Sequence, residues 1–256
     1  MQVAARNLFR LVARPFRLTL DLALPPRCPG CGLVTLADHL FCVDCWRKLD
    51  FLNGPACRNC GAPFALDPGT PAPCGACLAD PPAIDGMHAA VAYGEIARTL
   101  ALKLKYGRRP GLAVTLARQM RRLVGEGDVL LAPVPLHHWR LWRRGYNQAA
   151  LIGRALARDT GQPFLPDLLI RTKATPVLRN MGPAERKKTV RGAFRITPQH
   201  SAQVKDRDIV LIDDVYTTGA TANACAVALK RAGAASVRLC CWSRVIRDDI
   251  DNGTSR

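Results

Sequence analysis

The chain has 256 residues, 48% hydrophobic and 22% charged, a globular composition that excludes a disordered or fibrous protein. Its longest uncharged stretches fall short of the ~20 apolar residues a membrane span needs, so no transmembrane segment is expected. Lys and Arg number 37 against 20 Asp and Glu, a net charge of +17, which points to a polyanion or a phosphorylated small molecule as partner.

In chain order, residues 1–27 form a basic lead-in that closes at Pro25-Pro26. Arg6, Arg10, Arg14 and Arg17 interrupt it, so no secretory core of ~7–15 apolar residues forms, and a cytoplasmic location is expected. Leu8, Leu11 and Val12 have helical spacing, which predicts a short docking helix ending near Pro15.

Residues 28–80 are a cysteine module, slightly acidic, with three basic and five acidic residues. Cys28/Cys31, Cys42/Cys45, Cys57/Cys60 and Cys74/Cys77 are four C-x-x-C pairs, a zinc spacing rather than a disulfide framework. The module is duplicated: in each unit a first pair followed by Gly (Gly32, Gly61) precedes a second pair. Two tetrahedral four-cysteine zinc sites are expected. Sequential and alternating pairing both satisfy the spacing, and the duplication favours sequential. A closed four-thiolate site has no open position, so these metals are expected to be structural. Cys225, Cys240 and Cys241 fall on a predicted helix and a predicted buried strand, where packing is their expected role.

Asp80-Pro81-Pro82-Ala83 reads as a linker. Beyond it, predicted strands at 86–93, 129–134, 209–212 and 237–242 alternate with predicted helices at 96–105, 112–124, 148–160 and 221–232. That alternation predicts βαβ units and a parallel sheet, a second domain spanning 86–247.

The most informative stretch is Asp208-Ile-Val-Leu-Ile-Asp213-Asp214-Val215-Tyr216-Thr217-Thr218-Gly219-Ala220-Thr221. An apolar strand delivers two carboxylates, a small hydroxyl-rich loop follows, and a helix begins. Helix N-terminal N–H groups and threonine hydroxyls suit a phosphate, and Gly219 permits close approach. The Gly-x-x-x-x-Gly-Lys pattern of nucleoside-triphosphate loops is missing.

This string resembles the phosphoribosyl-pyrophosphate (PRPP) motif of type I phosphoribosyltransferases. Three further pieces resemble the ComF family, which is linked to DNA uptake in natural competence. They are Leu102-Lys103-Leu104-Lys105-Tyr106-Gly107, Ala132-Pro133-Val134-Pro135-Leu136 with the following Arg140 and 143–149 (Arg-Arg-Gly-Tyr-Asn-Gln-Ala), and the double zinc ribbon. The resemblance implies a phosphoribosyltransferase-like α/β core in which Asp213 and Asp214 hold the ribose hydroxyls. Thr217, Thr218, Gly219, Ala220 and Thr221 would form the 5′-phosphate loop, and Val215 and Tyr216 before it would also bind PRPP. Pro135 and Leu136, with Arg140, Arg143 and Arg144, would meet the pyrophosphate with magnesium. The basic segment 171–194 would be a mobile, irregular lid, although Leu178 and Thr189 stand where the family commonly has Gln and Asn.

Two readings follow. In the first, the protein is an enzyme that transfers phosphoribose from PRPP to an acceptor the sequence does not name. In the second, it senses PRPP or binds single-stranded DNA alongside DNA-uptake proteins, with Tyr106, Trp139, Trp142 and Tyr146 as candidate stacking platforms.

Overall fold

A computed structural model describes residues 25–173 and 183–246. The expected docking helix lies outside the described residues, as do Leu178 and the rest of the middle of the expected lid. The chain divides into two compact units, one ending at Lys48 and one beginning at Leu49.

Each cysteine repeat folds the same way. The first C-x-x-C pair sits in a tight hairpin, bridged Arg27 to Val34 in one repeat and Ala56 to Pro63 in the other. Gly32 and Gly61 both take positive φ, +86° and +64°, and their N–H groups return to the carbonyls of Cys28 and Cys57. The third cysteine then caps a short helix, Cys42 before α1 (Val43–Arg47) and Cys74 before α2 (Gly75–Ala79). The fourth cysteine lies inside that helix. The duplication read from spacing is therefore a duplication of backbone.

The second unit holds a four-stranded parallel sheet in the order β1 (Gly86–Ala92), β6 (Ser236–Arg244), β5 (Asp208–Tyr216), β2 (Leu130–Pro133). Residues 50–52 run along the outer edge of β1, bonded through Leu52 N to Ala90 O and Ala92 N to Asp50 O. The strands are apolar on both faces, as a sheet covered on both sides requires.

The helices are α3 (Glu95–Tyr106), α4 (Leu112–Met120), α6 (Gln148–Thr160) and α9 (Ala220–Arg231). All four match predicted elements, with α4 tightening into a 3-10 turn at Arg121–Leu123. Gly145 and Gly161, both left-handed, stop α5 (His138–Arg144) and α6. Ile209, Leu211, Val237 and Leu239 pack with Cys225, Ala226 and Leu229 of α9 in one buried cluster. Cys225, Cys240 and Cys241 are fully buried, as their packing role requires.

Three α-helices and two strands of this unit depart from the expected elements. Helix α5 (His138–Arg144) follows β2, and β3 (Leu169–Arg171) pairs antiparallel with β4 (Phe194–Ile196). Between them, α7 (Pro183–Val190) replaces part of the irregular lid. Val190 is buried in the α9 cluster, and that contact holds the C-terminal end of α7. A short α8 (Ser201–Val204) leads into β5.

Candidate active site and metal centres

Strand β5 does not end before the acidic pair, as the apolar run suggested. It continues to Tyr216 because β6 pairs with it as far as Tyr216–Arg244. On its other side β2 departs at Pro133–Ile212, after one more bond from Val134 N to Ile212 O. Asp213 and Asp214 therefore lie just past the last β2 bond, on a strand that is still held straight by β6.

Successive strand residues point to opposite faces. Asp214 is buried and meets the Lys105 ammonium at 2.8 Å. Burial works against the Lys105 charge, but Asp214 and then Asp213 outweigh it and raise its pKa. Asp213 is half-buried and accepts the Asp214 N–H at 2.8 Å. Burial first, then the Asp214 charge, push Asp213 up to about 7, against the pull of Lys105.

Beyond the pair, Thr217 is exposed, Thr218 half-buried and Gly219 buried at φ +73°. Gly219 is the N-cap of α9 and offers no side chain to it. The first-turn N–H groups of a helix have no partner within the helix and carry partial positive charge. A Cβ at position 219 would lie 2.5 Å from the Tyr216 hydroxyl and 2.9 Å from its ring, so only glycine fits here.

The loop after β2 carries buried Pro135 and half-buried Leu136, and His137 caps α5. Arg144 lies over the Tyr106 ring, its guanidinium carbon 5.1 Å from the centroid. Burial and then Arg144 lower the Arg140 pKa. Arg171, buried at the end of β3 above the Phe194 ring, is lowered by burial and then by Arg140, while Cys225 and Asp213 act the other way. Arg140 thus lies within electrostatic reach of both Arg144 and Arg171, and Arg171 within reach of Asp213. Arg143 is exposed on the same helix.

Two of these residues had no assigned role in the sequence. Lys105 falls four positions after buried Ala101 and next to buried Leu104, on the stripe of α3 that faces the core. A cation on an apolar stripe is a signal that periodicity offers. Arg171, the first residue of the expected lid with no ligand role of its own there, is the last residue of β3.

The eight module cysteines form two groups, Cys28, Cys31, Cys42, Cys45 and Cys57, Cys60, Cys74, Cys77, with the sulfurs of each group within 4.8 Å of one another. The pairing is sequential. N–H groups point at the sulfurs, Cys42 N to Cys28 Sγ at 3.3 Å and Cys74 N to Cys57 Sγ at 3.2 Å. Burial opposes ionisation of Cys28 and Cys57, but backbone N–H donors outweigh it and bring each down to about 6. In each group one thiolate is favoured in this way, while burial first and then the neighbouring thiols push Cys45 and Cys77 up; four sulfurs at this spacing fit zinc. Zinc, when bound, would supply a structural cross-link held by the four cysteines of each group.

Residues 19–78 match the double zinc ribbon domain family. The chain is 29% identical over 222 residues to Competence protein F of Haemophilus influenzae, covering 83% of this chain and 94% of that one. It is 30% identical over 233 residues to DNA utilization protein YhgH of Escherichia coli, covering 88% and 100%. A glutamine PRPP amidotransferase structure from B. subtilis aligns with 54% of this chain and 30% of its own length, at 18% identity and a TM-score of 0.37. Among the described residues no helix is long and apolar enough to cross a membrane. The YhgH match runs the full length of that protein and joins the cysteine module to the acidic-pair core in one order, so this chain belongs to the ComF family of competence and DNA-utilization proteins.

Proposed function

We propose that this protein binds PRPP with magnesium at Asp213 and Asp214 and transfers the phosphoribosyl group to a nitrogen nucleophile. The observation that carries this reading is the acidic pair a few residues ahead of the N-terminus of α9, with Arg171 in electrostatic reach of Asp213 and Arg140 in reach of Arg144 and Arg171. Mutually repelling guanidinium groups are relieved by an anion, and pyrophosphate is the anion this placement suits. In transfer, the bond from ribose C1 to the pyrophosphate oxygen breaks, a C1–nitrogen bond forms, and the nitrogen gives up its proton to solvent. Positive charge on the ribose ring is stabilised by the two carboxylates, and negative charge on the leaving pyrophosphate by the arginines. Lys105 holds Asp214 in place through the 2.8 Å ion pair. Magnesium, when bound with PRPP, supplies further neutralisation of the pyrophosphate.

Calorimetric titration of PRPP and magnesium into the zinc-loaded protein tests this. Saturable binding that disappears in Asp213→Asn/Asp214→Asn is the expected result. No binding by the wild type sinks the reading.

A second reading, contact with single-stranded DNA in the cytoplasm alongside DNA-uptake proteins, is favoured by α5. Trp139 and Trp142 are 64% and 81% exposed, set edge to face at 6.3 Å, and share the helix with Arg140, Arg143 and Arg144. Tyr106 is 62% exposed beside them. Tyr146 does not join this surface: it is half-buried, and its hydroxyl donates to Leu104 O at 2.7 Å.

A further inference from the structure

Arg244, the last residue of β6, has had no role so far. Its Nη2 donates to Cys60 Sγ at 3.7 Å. Its guanidinium carbon lies 5.6 Å from the centroid of the Tyr216 ring. Its Nε and Nη1 are buried, and neither has a hydrogen-bond partner among the described residues. A buried guanidinium needs a counter-charge. Among the described residues no carboxylate pairs with it, whereas the second four-cysteine group lies against it. Four thiolates around a zinc ion make a net dianion, and that dianion meets the need.

Tyr216, on the other side of Arg244, packs on Gly219, with no room even for a methyl group between them. Tyr216 is 7% exposed and pairs with Arg244 across the sheet. An unbroken line of contacts therefore runs from Cys60 through Arg244 and Tyr216 to the residue that opens α9.

We propose that Arg244 is a positioning residue that couples the second four-cysteine site to the phosphate loop. Its guanidinium balances the metal–thiolate charge and holds Tyr216 against Gly219, so metal at this site shapes the loop. The loop's role as a phosphate cradle rests on the reading in the preceding subsection; the coupling itself does not.

The test uses the full-length, zinc-loaded protein and the variants Arg244→Gln and Arg244→Lys. Zinc release to a chromophoric chelator reads the first contact. In Arg244→Gln one of the two zinc equivalents is expected to leave about tenfold faster, the usual scale for losing a partner of a metal ligand. The other equivalent should keep its rate, and Arg244→Lys should restore retention by restoring the charge. Release at the wild-type rate, or equal acceleration of both equivalents, overturns the counter-charge. Hydrogen exchange of the 217–221 amides, measured with both zincs still bound, reads the second contact. Faster exchange in Arg244→Gln is expected, and unchanged exchange overturns the coupling. If wild-type protein binds no PRPP, the preceding reading falls alone, because zinc release and amide exchange still decide this one.

Discussion

Asp213 is held at about 7, against an ordinary value of 3.8, by burial and then by the charge of Asp214. The unfolded chain gives up this proton near its ordinary value and the folded chain near 7. Between those values the folded state holds more protons, so stability falls as pH rises. Asp213→Asn removes that penalty. Above pH 7 it should melt higher than the wild type, by roughly 3 °C per 1 kcal/mol relieved, and the advantage should vanish near pH 4. A melting difference that does not change with pH would show that Asp213 is not strained. Lys105 is the matching cation. Lys105→Met leaves buried Asp214 without its partner beside a second carboxyl, a loss on the order of 3 kcal/mol. Adding Asp214→Asn should recover most of it, and a double-mutant cycle by urea unfolding measures the coupling. Simple additivity of the two single losses would mean the 2.8 Å contact contributes nothing. The acids were legible as a motif, because adjacent carboxylates after an apolar run are unusual in sequence. Their unequal partners were not, because Lys105 lies more than a hundred positions away.

The duplicated knuckle gives an internal comparison between elements. Gly32 and Gly61 occupy the same place in the two repeats, both with positive φ. A Cβ at Gly32 meets nothing within 4 Å, while one at Gly61 would lie 2.6 Å from the Met87 carbonyl oxygen. Gly32→Ala should therefore cost only the left-handed backbone strain, about 1 kcal/mol. Gly61→Ala should cost about 1–3 kcal/mol more from overlap with β1. Denaturant unfolding of the two zinc-loaded variants measures the difference, and equal losses would mean that the knuckle alone sets the cost. The knuckles were readable because ligand spacing and a following glycine act within one hairpin. Helix α5 was not readable, because none of its residues is buried and it shows no apolar period. Strands β3 and β4, three residues each, are too short to show alternation. The apolar run understates the length of β5 for a related reason. Charged residues end an apolar pattern, but the backbone continues for as long as β6 supplies hydrogen bonds.

At the scale of the whole molecule, the excess of basic residues argues for contact with phosphate. Residues 81–256 carry 29 basic against 14 acidic side chains. If α5 meets single-stranded DNA, affinity should fall steeply with salt, since bound phosphates release counterions. Trp142→Ala should weaken binding about tenfold by removing one stacking platform. Fluorescence anisotropy of a labelled oligonucleotide across a salt series measures both. A flat salt response would remove the DNA reading, and an unchanged Trp142→Ala affinity would remove α5 from it.

The sequence by itself determined the cysteine groups, the alternation of strands and helices, and the string from Asp208 to Thr221. Each of these is written in spacings of a few residues, over which ligand geometry, helical period and strand burial act locally. Only the tertiary structure decided that Lys105 pairs with Asp214, that Arg171 of β3 lies within electrostatic reach of Asp213, and that Arg244 lies between Cys60 and Tyr216. Those contacts join distant positions through sheet order and helix packing. A spacing rule has no term for them, because their partners become neighbours only after the sheet has formed.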